Sequence, residues 1–169
     1  YDILRLSQLD EGGALPHEQV SVLELAQEAA RSLTAQAAAQ AVHISVTGTA
    51  GTVFGVRRLL YEIARNLCEN AVKYNVPGGS VTVEVAETDR DVTLLVRDTG
   101  IGIPEGNQSR VFERFYRVDK SHSRAIGGTG LGLSIVKHAV AYHHGTLRLE
   151  SQPGKGTVIT VTLPKEPTE

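Results

Sequence analysis

Two pairs of alternating segments constrain the fold of this chain more than any other feature. Residues 81–86 and 92–96 alternate apolar with polar side chains and flank a charged turn. Residues 145–151 and 157–163 do the same around a turn at 153–156 that contains two glycines. Alternation with a period of two, interrupted by turn residues, is typical of antiparallel hairpins with one buried face. Other apolar elements of the chain must therefore cover that face.

Helical patterns precede and separate these hairpins. Apolar residues recur every three or four positions in them, as in amphipathic helices that pack on a sheet. Ser21 is the predicted N-cap of the first helix. We predict helices at residues 22–40, 56–74 and 129–142, with further short strands at 43–47 and 52–54.

This order of elements predicts an α/β (α+β) fold built as a two-layer sandwich. A mixed, mostly antiparallel sheet would be covered on one face by about three helices. A strict alternation of strand and helix is absent, which disfavours a doubly wound nucleotide-binding fold. With 169 residues, the chain is long enough for one domain with its own core.

Charge and cysteine content exclude several classes of protein. The formal net charge is −2, whereas proteins that bind nucleic acid or anionic lipid usually carry a basic excess. A single cysteine, Cys68, rules out an internal disulfide. No apolar stretch approaches the length of about 18 residues that a membrane helix needs. The chain opens on Tyr1 rather than Met, so we expect it to be part of a longer protein.

The predicted helix at 56–74 carries a polar face as well as an apolar one. Glu62, Asn66 and Asn70 follow one another at intervals of four residues, and Lys73 comes three residues later, so all four share a face. Amide oxygens are hard ligands suited to Mg²⁺, and an ammonium group suits phosphate. The alternative is a solvated polar face opposite the apolar stripe.

Two glycine-containing segments are further candidates for ligand binding. Asp98 ends an apolar strand and begins the turn at 98–103, where it could accept a hydrogen bond from an exocyclic amine such as adenine N6. Residues 127–133 run into the last helix, and a glycine-rich helix start is a natural phosphate site. The alternatives are an Asx turn and a flexible linker. Between them, a basic segment with Arg117, Lys120 and Arg124 suits a lid over phosphates, or else a charged surface loop.

Taken together and in this order, the segments resemble the ATP-binding domain of sensor histidine kinases. The matching segments are NLCENAVKYN (66–75), DTGIGI (98–103), VFERFYRVD (111–119) and GGTGLGLSIVKH (127–138). The resemblance covers residues 15–163. It implies the Bergerat fold, shared with type II topoisomerases and heat-shock chaperone ATPases, with a flexible ATP lid. It also implies ATP and Mg²⁺ as ligands.

The resemblance implies roles for individual residues on the two central segments. Asn70 matches the Mg²⁺-binding asparagine, and Asp98 matches the acid that reads adenine. Residues expected to flank the phosphates and the nucleoside are Asn66, Lys73 and Tyr74, while Gly100 and Gly102 shape the pocket.

It also implies roles in the lid and in the last helix. Arg117 and Lys120 match lid residues that reach the phosphates, and Gly128, Gly130 and Gly132 form the lid hinge. Further nucleotide-binding positions in the matching segments are Ile103, Tyr116, Thr129, Leu131 and Leu133. The residues we expect to act in catalysis are Asn66, Lys73 and Arg117.

Kinases of this type also need a phospho-accepting histidine on a helical dimerisation domain, and we find none of the six histidines in that context. The resemblance divides the chain into the end of a dimerisation helix or linker (1–14), the ATP-binding domain (15–164) and a tail (165–169). The fragment is then a monomer that binds ATP but phosphorylates nothing alone. Its parent would be a homodimer in the cell membrane, with this domain in the cytoplasm. Expected partners are the dimerisation domain and a response regulator.

Position 66 bears on the type of reaction. In ATP-hydrolysing relatives of the superfamily, a glutamate one turn before the metal-binding asparagine activates water, and here that position is Asn66. An amide is not a general base at neutral pH. We therefore hypothesise that ATP is protected from hydrolysis and that its γ-phosphoryl group is kept for transfer.

Two other functions fit parts of the same pattern. One is an anti-sigma-type Ser/Thr kinase of the same superfamily, against which residues 1–12 and the segment FERFYRVD (112–119) argue. The other is a non-catalytic nucleotide-binding interaction domain, which the intact appearance of all four segments disfavours. A nucleic-acid binder is disfavoured by the charge.

Overall fold

A computed structural model describes residues 16–102 and 132–166. Within these ranges the strands are β1 (Glu18–Ser21), β2 (His43–Gly48), β3 (Thr52–Gly55), β4 (Ser80–Glu87), β5 (Asp91–Asp98), β6 (Thr146–Gln152) and β7 (Gly156–Pro164). The helices there are α1 (Val22–Ser32), α2 (Thr34–Ala39), α3 (Arg57–Lys73) and α4 (Gly132–Tyr142). Of these helices, none is long and apolar enough to cross a membrane.

The main sheet has five strands in the order β2-β4-β5-β7-β6. Strand β2 runs parallel to β4, and the other neighbours are antiparallel. Both predicted hairpins are present, as β4–β5 and β6–β7. This arrangement confirms the mixed, mostly antiparallel sheet.

The core lies between one face of this sheet and the long helices. Directly opposed residues such as Val83, Val96 and Ile159 form rows across β4, β5 and β7, and their side chains are buried. The helices contribute Leu25, Leu67 and Val136 to the same cluster. On the opposite face, Glu84 and Arg97 are exposed. One covered face and one solvated face confirm the two-layer sandwich.

The helix predicted at 22–40 is interrupted. Ser21 caps it as predicted, because its hydroxyl accepts a hydrogen bond from the Glu24 N–H at 3.3 Å. The helix ends at Ser32, however, and α2 starts at Thr34. The hydroxyls of Ser32 and Thr34 donate to the carbonyls of Ala29 (2.7 Å) and Arg31 (2.9 Å). Such local side-chain bonds compete with the helical pattern, and the apolar periodicity did not reveal them.

A second, two-stranded sheet joins β1 to β3 and includes one strand, β1, that the sequence did not indicate. Only Val20 of β1 is buried, so the strand has no recognisable alternation. This sheet also contacts the residue that follows β7, because the Phe54 N–H donates to the carbonyl of Lys165 at 2.8 Å. Lys165, the first residue of the predicted tail, donates from Nζ to Glu87 at 2.8 Å as well.

Cys68 belongs to the core. Its side chain on α3 is fully buried, and burial raises the pKa of the thiol to about 12. The thiol is therefore protonated and unreactive at neutral pH.

Candidate functional site

The polar face of α3 is organised by hydrogen bonds that run back along the helix. Nδ2 of Asn66 donates to the carbonyl of Glu62 at 2.7 Å and to its carboxylate at 3.1 Å. Nδ2 of Asn70 donates to the carbonyl of Asn66 at 3.0 Å. Both amide nitrogens are thus engaged, so each amide oxygen is the atom that the side chain offers to a ligand. Glu62 and Asn66 are both buried, at 8% exposure, which holds this orientation in place.

The C-terminal end of α3 carries charged residues. Lys73 is the last residue of the helix, and its Nζ lies 3.7 Å from Oε1 of Glu69. The other oxygen of Glu69 accepts from Nη1 of Arg65 at 3.1 Å. The helix thus ends on an ammonium group whose partner carboxylate is shared with a second cation.

The end of α3 meets the turn that follows β5. The Ile101 N–H donates to the carbonyl of Tyr74 at 3.0 Å, and the Thr99 hydroxyl donates to Oδ1 of Asn75 at 3.2 Å. At Gly100, a Cβ atom would lie 2.3 Å from the Tyr74 carbonyl oxygen, so only glycine permits this approach. The structure therefore brings together two segments that the sequence marked separately, 66–75 and 98–102.

Asp98 lies on the core side of the sheet. It follows Val92, Leu94 and Val96 in the alternation of β5, so its carboxylate points under the helices. Oδ1 accepts from the N–H groups of Gly100 (2.9 Å) and Thr157 (3.2 Å). Burial raises the pKa of Asp98 to about 6, although these two hydrogen bonds lower it. The carboxylate is therefore anchored by one oxygen and ionised only above mildly acidic pH.

Asp98 has polar neighbours in the sheet that our sequence analysis missed. Thr157 on β7 is directly opposite Asp98, and Ser151 on β6 is opposite Thr157. The two hydroxyls lie 2.8 Å apart. Thr157 is buried and lies on the same face of β7 as Ile159, Val161 and Leu163. A polar residue at an inward position of a predicted strand needs a hydrogen-bond partner, and this pattern could have identified Thr157 from the sequence.

Gly102 is buried and has a φ of +75°. A Cβ atom there would lie 2.1 Å from the carbonyl oxygen of Gln152, at the end of β6. The Gly154 N–H donates to the carbonyl of Ile101 at 2.8 Å in the same region. In this structure, Gly102 allows the β5 turn to pack against the β6–β7 turn.

Helix α4 runs back along α3. His143, just after the end of α4, contacts the N-cap residue of α3 through a bond from the Val56 N–H to its Nε2 at 3.1 Å. The two helices pack against each other, so α4 begins toward the half of α3 that carries Asn66 and Asn70. Gly132 and Leu133 are its first residues, and Leu133 packs on the core.

The remaining predicted site residues lie outside the described ranges. They are Ile103, Tyr116, Arg117, Lys120, Gly128, Thr129, Gly130 and Leu131. The predicted start of the last helix at 129 lies there as well.

His17 is followed by Glu18, so one of the six histidines does lie in a His-Glu pair, contrary to the expectation from the sequence. The structure places His17 directly before β1 and not on a helix. Its ring stacks on those of Phe54 and Tyr142, with centroids 5.6 and 5.9 Å away. This packing at a strand start is not the helical setting expected of a phospho-acceptor.

The raised pKa of Asp98 predicts a pH-dependent stability. The folded state keeps the proton to higher pH than the unfolded chain, so this contribution is present in acid and lost as pH rises from 3.8 to about 6. Asp98→Asn keeps the Oδ1 acceptor and removes the charge. Thermal or urea unfolding should find it more stable than wild type by about 2 kcal/mol at about pH 7.5, and nearly equal in acid. A difference that does not change with pH would contradict this assignment.

Comparison with known proteins gives the family. Residues 55–167 match the profile of the histidine kinase-, DNA gyrase B- and HSP90-like ATPases. The sensor-like histidine kinase SenX3 of Mycolicibacterium smegmatis is 42% identical over 170 residues, which are 98% of this chain and 44% of that protein. The sensor histidine kinase WalK of Bacillus subtilis is 48% identical over 105 residues, 61% of this chain and 17% of that protein. The chain thus spans less than half the length of these relatives.

Solved structures agree with the sequence relatives. The mycobacterial sensor histidine kinase MprB superimposes with a TM-score of 0.77 at 33% identity, over 90% of this chain and all of that chain. Full-length ShkA in complex with AMPPNP gives a TM-score of 0.81 at 27% identity, over 96% of this chain and 34% of that one. The chain belongs to the histidine kinase-, DNA gyrase B- and HSP90-like ATPases, and within that family it is a catalytic, ATP-binding domain of the sensor histidine kinase type.

Proposed function

We propose that Mg²⁺-ATP binds where the end of α3 meets the turn after β5. One observation carries this proposal: the carbonyl of Tyr74, the C-cap residue of α3, accepts a 3.0 Å hydrogen bond from the Ile101 N–H of that turn. This contact brings Asn66, Asn70 and Lys73 of α3 to the same end of the domain as Asp98. An amide oxygen for a metal, a cation for phosphate and an anchored carboxylate for an amine suit the three parts of a magnesium nucleotide. ShkA, a structural relative, has been solved in complex with AMPPNP.

The residues on α3 fit a hydrated magnesium ion. Because their Nδ2 atoms donate to the helix, Asn66 and Asn70 offer oxygen, the ligand atom that Mg²⁺ prefers. We assign Asn70 as the metal ligand, with Asn66 and Lys73 beside the phosphates. When bound, the ion neutralises charge on the phosphate chain.

The residues around β5 fit adenine. One oxygen of Asp98 is bonded to the Gly100 and Thr157 N–H groups, so the other can accept from the exocyclic amine. Tyr74, Gly100 and Gly102 flank this position in our proposal. The residues that complete it from the segments outside the described ranges are Ile103, Tyr116, Arg117, Lys120, Gly128, Thr129, Gly130 and Leu131, with Gly132 and Leu133 at the start of α4.

For the parent protein we propose autokinase activity. This domain (15–164) would donate the γ-phosphoryl group to a histidine on a separate dimerisation domain, whose last helix or linker is residues 1–14. The group would then pass to an aspartate of a response regulator. The fragment, with its tail at 165–169, would be a cytoplasmic monomer, and the parent a membrane-bound homodimer.

Calorimetric titration of the chain tests the nucleotide site directly. We expect ATP to bind with Mg²⁺, more weakly with EDTA, and GTP not to compete, because its guanine presents a carbonyl where adenine has the amine. No heat with ATP under any of these conditions would refute the proposal. Competition by GTP as strong as by ATP would refute the role of Asp98.

Position 66 allows a gain-of-function prediction. Asn66→Glu places a carboxylate one turn before the proposed metal ligand, next to Glu62, and a like charge nearby raises its pKa toward that of a useful base. We expect ATP hydrolysis, measured as phosphate release, to rise about 100-fold, the lower end of the range for general-base catalysis. Asn66→Gln is the control, because glutamine is as long as glutamate but has no carboxylate to act as a base. Its rate of hydrolysis should stay at the wild-type value. A variant that binds ATP without faster hydrolysis would contradict the hypothesis that Asn66 protects ATP.

A further inference from the structure

Glu69 lies between two cations on the polar side of α3. Its Oε2 accepts from Nη1 of Arg65 at 3.1 Å, and its Oε1 lies 3.7 Å from Nζ of Lys73. The three residues follow at intervals of four, so they lie along one face of the helix. Their side chains are 33%, 24% and 18% exposed in the order Arg65, Glu69, Lys73, so water screens the charges only in part.

We infer that Glu69 is a positioning residue that holds the Lys73 ammonium when no nucleotide is bound and competes with phosphate for it. The inference rests on the proposed function, in which Lys73 binds the phosphate chain. It adds a residue that opposes binding: Glu69 lowers the affinity for phosphate-bearing nucleotides and leaves the affinity for the nucleoside unchanged.

The two contacts of Glu69 differ in a way that suits an exchange of partners. The 3.1 Å contact to Arg65 is a hydrogen bond, whereas 3.7 Å to Lys73 is too long for one and is a looser charge contact. When a phosphate draws Lys73 away, Arg65 still compensates the Glu69 charge. The Lys73 contact can therefore be released without leaving a partly buried carboxylate unpaired.

This arrangement predicts opposite effects of two neutral substitutions. Glu69→Gln releases Lys73 and removes a negative charge near the phosphates, so ATP should bind about two- to fivefold more tightly, the range of a partly exposed ion pair. Arg65→Gln leaves Glu69 to Lys73 alone, so ATP should bind more weakly. Both effects should shrink in high salt, because ions screen such pairs.

The experiment is calorimetric titration of the full chain with Mg²⁺-ATP and with adenosine. Glu84→Gln is the matched control, because Glu84 is exposed on β4 and its loss changes the net charge equally. We expect Glu69→Gln to tighten ATP binding, Glu84→Gln to leave it unchanged, and adenosine to bind all variants alike. Circular dichroism checks that each variant is folded.

The outcomes separate this inference from the proposed function. If wild type does not bind ATP, the proposed function fails. If wild type binds ATP but Glu69→Gln binds it no better than Glu84→Gln, the competition by Glu69 is refuted. Weaker ATP binding by Glu69→Gln would also overturn it and show that Glu69 orients Lys73 toward phosphate. A parallel change in adenosine affinity would reveal a general effect on the pocket and equally overturn it.

Discussion

Asn70→Ala should weaken Mg²⁺-ATP binding by about 100-fold or more, since loss of even a supporting group at a metal site costs 10- to 100-fold. In wild type, Nδ2 of Asn70 donates to the Asn66 carbonyl, which turns the amide oxygen toward the ligand. Alanine removes that oxygen and leaves the helix intact, because it is the best helix former. The expected result is a folded domain whose ATP affinity no longer responds to Mg²⁺.

The measurement is calorimetric titration with ATP in Mg²⁺ and in EDTA. Gln27→Ala, which removes an exposed amide from α1, is the control for loss of an amide alone and should behave as wild type. If Asn70→Ala retained the wild-type difference between Mg²⁺ and EDTA, the metal would have to be assigned to other residues.

His143→Ala is expected to lower the free energy of unfolding by about 3–5 kcal/mol, the range for truncating a buried ring. The side chain is 1% exposed and joins two helices. Nδ1 lies 2.8 Å from the Ala139 carbonyl, so it carries the proton and donates, and Nε2 accepts from the Val56 N–H. Val56 is the N-cap residue of α3 and supplies no side-chain cap, so the substitution leaves a buried N–H without its partner.

Urea unfolding measures this loss, and His144→Ala is the matched control because His144 is the exposed neighbour. His144 has a φ of +60°, which is unfavourable for any residue with a Cβ atom. Because alanine keeps that atom, the free energy of unfolding of the control should change little. A loss below about 1 kcal/mol in His143→Ala would mean that the ring neither fills the core nor caps α3.

The same residue predicts destabilisation in acid. Burial lowers the pKa of His143, and the charges of His17 and His144 lower it further, against the bond to Ala139. The unfolded chain therefore takes up the proton first, at a pKa of 6.5, and the contribution of His143 is lost as pH falls below that value. This direction is opposite to that of Asp98, so the two contributions offset each other in the pH dependence of wild-type stability. Each contribution is therefore measured by comparing wild type with the variant that lacks that one group.

Much of the fold was predictable from periodicity within single segments. The 3–4 spacing along α3 and the alternation in β4, β5, β6 and β7 are local patterns, and the elements lie within a residue or two of their predicted bounds. The sharing of one helical face by Asn66, Asn70 and Lys73 is equally local, because four residues make about one turn. Their expected roles came from the resemblance to a family and not from the pattern.

Tertiary structure decided the contacts between segments far apart in the chain. No local pattern indicates that the Val56 N–H donates a hydrogen bond to His143, 87 residues away. Nor does one indicate that the Thr157 N–H donates to Asp98 across the sheet. Periodicity indicates which side of an element is buried, whereas strand order and register determine which residues that side packs against. The sequence by itself therefore determined the elements, their buried faces and the polar row on α3. Only the packed sheet and helices decided that α3 and the Asp98 turn share one end, because that contact depends on chain connectivity in three dimensions.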